Sequence, residues 1–153
     1  MGSTHSVNKI NCMDLQKIIN TNININDNNI NDNIDHLINS NASFIIINTL
    51  NANNQECLIK NTLSITNETN LLNKLLASNK LNNINIIIYG ENSSDNNVIT
   101  KYNQLYKLGF HKLYVYVGGL FEWLLLQDIY GDEEFSTNSK IIEILKYKGK
   151  TIF

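Results

Sequence analysis

The stretch Ile84-Asn85-Ile86-Ile87-Ile88-Tyr89-Gly90-Glu91-Asn92-Ser93-Ser94-Asp95 decides how the chain is read. A short, mostly continuous β-branched run is what a strand buried on both faces of a parallel sheet requires. The residues from Gly90 to Asp95 are small or polar and read as a loop. A helical pattern follows over residues 95–108, with Val98, Ile99, Tyr102, Leu105 and Leu108 as its apolar positions. Leu108-Gly109-Phe110 closes it. Leu113-Tyr114-Val115-Tyr116-Val117 is a further strand, and Gly118-Gly119-Leu120-Phe121-Glu122-Trp123 turns into an apolar helix over residues 119–129.

Working outward, Phe44-Ile45-Ile46-Ile47 is a second clear strand and Leu63-Ser64-Ile65 a short candidate. Residues 68–78 carry a helical pattern around Leu71, Leu72, Leu75 and Leu76, and residues 13–20 a shorter one around Met13, Leu15, Ile18 and Ile19, with Asp14 favourable in its first turn. Lys9-Ile10-Asn11 reads as a tail or a short edge strand. Residues 20–33 are low in complexity; their Ile alternation could pass for a strand, but Asn and Asp favour turns, and a flexible insertion is expected. Ile30, Ile34, Leu37 and Ile38 then fall on one helical face. A short helix is expected near Ile141–Leu145. Strands alternating with helices predict βαβ units and a single α/β domain, its central, mainly parallel sheet having about five strands. The expected organisation is a tail over 1–12, the domain over 13–131 with its Asn-rich insertion, and a C-terminal extension over 132–153 that packs on the domain.

A chain of 153 residues suits one domain and buries roughly two-thirds of its unfolded surface. Asn and Ile are over-used, Pro is absent, and all twelve basic residues are Lys, the bias of an AT-rich genome. A net charge of −2 and a pI near 5.9 argue against nucleic-acid binding, which needs clustered cations. Cys12 and Cys57 are too few for a disulfide framework or a zinc site, and His36 and His111 have no ligand-spaced partner, so no metal and no cofactor is expected. The glycosylation triplets at Asn41, Asn67 and Asn92 read as coincidence in an Asn-rich chain.

No apolar run approaches the roughly 20 residues that span a bilayer, and no secretory h-region stands near the start. A cytoplasmic protein is expected. Met1-Gly2-Ser3-Thr4-His5-Ser6 fits the N-myristoylation pattern at Gly2; the alternative is a leader added for expression. One myristoyl chain holds a membrane only marginally, so any association would be weak and reversible.

The second half of the chain resembles the rhodanese family: strand, catalytic loop, helix, Gly109-Phe110, strand, then Gly118-Gly119 and Trp123 at Gly-Gly-x-x-x-Trp spacing. The resemblance is good over residues 84–125 and loose over 44–66. There Phe44-Ile45-Ile46-Ile47-Asn48 stands where the family has a strand ending in Asp, and Leu58–Ile65 where it has a His-Ile-Pro-Gly-Ala stretch. It implies a rhodanese-like domain and sulfurtransferase chemistry on a loop cysteine, whose thiolate is held by loop amides and a helix N-terminus. The matching position here is Gly90, which carries no sulfur. Glu91 and Asp95 add carboxylates where an anion would bind, and residues 90–100 hold no Lys or Arg. Ser94 and Asp95 read as helix N-caps. The Cys-x5-Arg loop of related cell-cycle dual-specificity phosphatases is also missing.

The resemblance and these departures lead to a catalytically inactive binding or regulatory module whose degenerate loop comprises Gly90, Glu91, Asn92, Ser93, Ser94 and Asp95. The first alternative is sulfur transfer through a non-standard cysteine, Cys57, although Glu56 beside it would raise its pKa. The second is a small-ligand or cation site on the loop. In the apolar helix, Leu120, Trp123, Leu124 and Gln127 form the expected core face. Phe121, Trp123, Leu125, Leu126 and Tyr130 make up the candidate surface for a protein partner, or for self-association, unless the C-terminal segment with Phe135, Ile141, Ile142 and Leu145 folds back over it.

Overall fold

Three of the apolar runs form strands because their β-branched residues fill both faces of one parallel sheet. A computed structural model describes residues 6–21, 24–31, 43–141 and 143–152. Strands β1 (Lys9–Ile10), β2 (Ser43–Asn48), β3 (Ile84–Tyr89) and β4 (Leu113–Tyr116) lie in the order β1-β4-β3-β2, and all their pairings are parallel. Among the described residues the sheet thus has four strands rather than about five. Leu63-Ser64-Ile65 is not a strand. Thr62 forms a single bridge to Ile46, and Ser64 already caps the next helix by accepting from the Asn67 amide. Gly2, Ile34, His36, Leu37, Ile38 and Ile142 lie outside the described residues.

Among the described residues, four helices cover the sheet: α1 (Cys12–Ile19), α2 (Ile65–Ser78), α3 (Asn97–Leu108) and α4 (Gly119–Tyr130). Side chains alternate across a strand, and the two cores separate accordingly. Ile45, Ile47, Ile86, Ile88, Leu113 and Val115 face one way, with Leu71 and Leu75 of α2 and Tyr102 and Leu105 of α3. Ile46, Ile87, Tyr89 and Tyr116 face the other way, with Leu15 of α1 and Leu120, Trp123 and Leu124 of α4. Central β3 is buried along its whole length, as a strand in the middle of a two-sided sheet must be.

The helix ends follow from the sequence. Asn11 and Asp14 form a capping box on α1, the Asp14 amide donating to Asn11 and the Asn11 amide to the Asp14 carboxylate. Gly109 ends α3 at φ +109°, a left-handed value that suits glycine. Part of the Asn-rich stretch packs instead of projecting. Asn24 bridges Phe44, Ile25 is fully buried, and the Ile25 amide donates to the Phe44 carbonyl at 2.9 Å.

Ile88→Ala, in the most enclosed strand, is expected to cost about 2–5 kcal/mol by urea denaturation. Ile99→Ala, on the exposed side of α3, should fall within about 0.5 kcal/mol of the parent.

Candidate functional site

Strand β3 delivers Gly90 to the C-terminal edge of the sheet, where ligands of parallel α/β sheets bind. Two helices start beside the loop that follows: α3 continues from it, and α4 returns to it from β4. The contact with α4 is close. The Leu120 amide donates to the Gly90 carbonyl at 2.9 Å and the Phe121 amide to the Glu91 carbonyl at 2.8 Å. Gly119 permits the approach. Its φ is +71°, and a β-carbon there would lie 2.7 Å from the Gly90 carbonyl oxygen and 2.8 Å from the Asn92 nitrogen.

Inside the loop, the Asp95 carboxylate holds the centre. Its Oδ2 accepts from the Glu91 amide at 3.1 Å and from the Thr49 hydroxyl at 3.3 Å, and its Oδ1 accepts from the Asn97 amide at 3.0 Å. The N-cap of α3 is neither of the expected residues but Asn96, whose side chain makes no capping bond; Asp95, one residue before it, binds the Asn97 amide. Ser94 takes another part, donating its amide to Asn92 Oδ1 at 2.9 Å. Asp95 also fills the space beside Gly90: a β-carbon at position 90 would lie 2.3 Å from Asp95 Oδ2 and 2.7 Å from a Val98 methyl. The Glu91 and Asn97 amides therefore already hold an anion, and that anion is a side chain of the protein. Glu91 is tied outward, its Oε1 accepting from the Asn54 side chain at 3.2 Å.

A cavity of about 430 Å³ opens over this loop, lined by Thr49, Glu91, Asp95 and the start of α3, and on its far side by Lys148 and Lys150. Sequence reasoning missed the two lysines, because it looked for cations only within residues 90–100. They arrive on the C-terminal segment, which Asn92 grips by donating its side-chain amide to the Tyr147 carbonyl at 2.9 Å. No local pattern around 148–150 signals this placement. Thr49 was missed for the same reason: its hydroxyl matters only once β2 and β3 are paired.

Cys57 does not line the cavity. Its thiol is fully buried and donates to the Ser139 carbonyl at 3.4 Å. Burial pushes the thiol pKa up, against smaller lowering contributions from Ser139 and Thr137, and Glu56 adds the smallest contribution to the rise. Cys12 lies on α1 and His111 on the surface, edge-on to Tyr106 at 4.7 Å. Among the described residues, no group of three or more His, Cys, Asp or Glu side chains is placed to hold a metal ion. Nor is any helix long and apolar enough to cross a membrane.

The apolar helix is partly covered. Trp123 is fully buried, not part of an interaction surface. Phe135 packs against it at 5.0 Å between ring centroids, and its indole N–H donates to the Ser136 carbonyl at 3.0 Å. Phe121 and Leu126 are half-buried, whereas Leu125 and Tyr130 remain exposed.

Comparison with known proteins bears on this arrangement. The family model for the rhodanese-like domain matches residues 16–126, well over half of the chain. No curated protein matches in sequence. Among solved structures, Ygr203w, a yeast protein tyrosine phosphatase of the rhodanese family, is similar with a TM-score of 0.55. The two share 16% identity over 91% of this chain and 96% of that one, a likeness of fold alone.

If the Asp95 carboxylate occupies the space beside Gly90, Gly90→Ala costs about 1–3 kcal/mol in the parent chain and less in a chain that already carries Asp95→Ala. A double-mutant cycle by urea denaturation should give a coupling of about 0.5–3 kcal/mol; additive losses would place the carboxylate elsewhere.

Proposed function

The chain belongs to the rhodanese-like domain family, and from that premise we propose that it is a catalytically inactive member that works by binding a protein partner. The observation that carries this reading is the Asp95 carboxylate set against Gly90, with Glu91 and Asn97 amides as its donors. On the family's pattern a cysteine opens the loop and its thiolate, persulfide or anionic donor takes those amides. Here the opening residue has no side chain, and a carboxylate supplied by the chain is in the anion's place. A free anion would have to displace a group held by three hydrogen bonds, each to a charged acceptor and so stronger than a neutral one.

The same arrangement weighs on the rival readings. Sulfur transfer through Cys57 needs an accessible thiolate, and this thiol is enclosed with its pKa raised. A cation on the loop would compete with the donors that both oxygens of Asp95 already accept from, and with Lys148 and Lys150, which line the same cavity. We extend the reading to a reversible membrane tether at Gly2, supported by the Gly2–Ser6 pattern. Gly2→Ala chains that still incorporate labelled myristate during co-expression with an N-myristoyltransferase would remove the tether.

Thiosulfate treatment followed by intact-mass measurement tests inactivity. The wild-type chain should gain no cyanide-labile sulfur, and Gly90→Cys should gain little, because the new side chain meets the Asp95 carboxylate. A stable sulfur on the wild type that disappears in Cys57→Ser would establish the enzymatic rival instead.

A further inference from the structure

The C-terminal segment crosses the face of the degenerate loop. Ile144–Tyr147 form a 3₁₀ turn, and Tyr147 is fully buried in the cluster that contains Leu50, Cys57, Tyr89 and Trp123. Lys146 pairs with Glu56 at 2.8 Å. Gly149 passes close above the loop, since a β-carbon there would lie 3.9 Å from Ser94 Oγ and 4.0 Å from Asn92 Oδ1. Lys148 and Lys150 then share the cavity with Glu91 and Asp95. The face is acidic where the segment is basic, and it has a socket where the segment has an aromatic ring.

The hold is incomplete. An ion pair between solvent-exposed side chains contributes little. The Tyr147 hydroxyl is buried with no hydrogen-bond partner among the described residues, which opposes the gain from burying its ring. Such a segment opens locally well before the domain unfolds.

We propose that this face, made by Glu56, Glu91, Asn92 and the Tyr147 socket, is a docking site for protein segments with an aromatic residue set between lysines. Residues 143–150 occupy it in cis until such a segment displaces them. The proposal rests on the binding-module reading and names the partner's chemistry. Lys146-Tyr147-Lys148 is itself the template: one lysine for Glu56, the ring for the socket, the backbone carbonyl for Asn92, and the second lysine for the acidic loop.

The probe is a fluorescein-labelled peptide of residues 143–150, titrated by anisotropy into full-length chains. Lys146→Glu/Lys148→Glu/Lys150→Glu reverses exposed charges and loosens the segment without touching the core. It should bind the peptide at least ten-fold more tightly than the wild type, whose site is occupied, and the binding should weaken with salt. Adding Glu56→Lys, or using a peptide with Ala in place of Tyr147, should abolish it. Equal binding to wild type and variant, no binding to either, or binding that ignores the tyrosine would overturn the proposal. So would dimers of the wild type formed by exchange of this segment, which would make a second copy the occupant. Tyr147→Phe supplies an independent arm by removing the unpartnered hydroxyl. Amide exchange at Tyr147 to Gly149 should slow by roughly five-fold or more, and unchanged or faster exchange would contradict the weak hold. None of these readouts involves sulfur, so a positive thiosulfate result would sink the inactive reading while leaving docking to be decided by the peptide.

Discussion

The Asp95 carboxylate collects two backbone amides and the Thr49 hydroxyl, and most of the loop's geometry follows from that set of contacts. The Glu91 amide ties the start of the loop, the Asn97 amide ties the first turn of α3, and Thr49 ties the end of β2. The end of β2, more than forty residues away in sequence, is thus joined to the loop and to α3 at one charged group. A hydrogen bond to a charged acceptor is worth about 1.5–3 kcal/mol, so the loop gains from this carboxylate much of what a bound anion would supply. The absence of a side chain at position 90 is part of the same arrangement, because the carboxylate needs the space a β-carbon would take.

A second constraint acts from the other helix. Gly119 lets α4 press against the loop closely enough for its first amides to reach the Gly90 and Glu91 carbonyls. Both helix N-termini are thereby engaged by the protein's own groups, α3 by a carboxylate and α4 by carbonyls. That same approach orients α4 so that Trp123 points into the core and meets Phe135, which draws residues 131–136 across the helix and starts the C-terminal segment on its path. Tyr116 belongs to this layer as well. Its hydroxyl donates to Glu122 at 2.7 Å, and burial, followed by that carboxylate, drives its pKa upward.

The strands β2, β3 and β4 were legible in the sequence because runs of four to six β-branched and aromatic residues have few other uses in a chain of this length. The helices were legible from their 3.6-residue spacing, and the loop with its carboxylates from its place after β3. Other features were not. Leu63-Ser64-Ile65 reads as a strand by propensity, but Ser64 is a better helix cap than strand residue, and the cap decided the outcome. Asn24 and Ile25 looked like insertion because Asn disfavours strands, yet the open edge of β2 offers backbone partners that accept any side chain. Trp123 sat on an apolar helix without a clear polar face, and only the return of residues 131–137 determines which side is covered. The lysines over the loop are the plainest case of tertiary placement: more than fifty residues separate Asp95 from Lys148.

Those lysines change the meaning of the acidic loop. Taken alone, residues 90–95 repel anions, and a cavity floored by Glu91 and Asp95 would favour cations. With Lys148 and Lys150 on its far wall the cavity is balanced in charge, but the balance is composite, because half of it rides on a segment held, among the described residues, by one buried ring, the half-buried Ile144, a hydrogen bond from Asn92 and one exposed ion pair. If that segment lifts, the cavity becomes acidic again and a socket for an aromatic ring opens beside it. The electrostatic character of the loop is therefore a property of the segment's position rather than of the loop's residues. On the docking proposal, a family fold that elsewhere concentrates its chemistry in a single loop would here divide its recognition between that loop and residues 143–150.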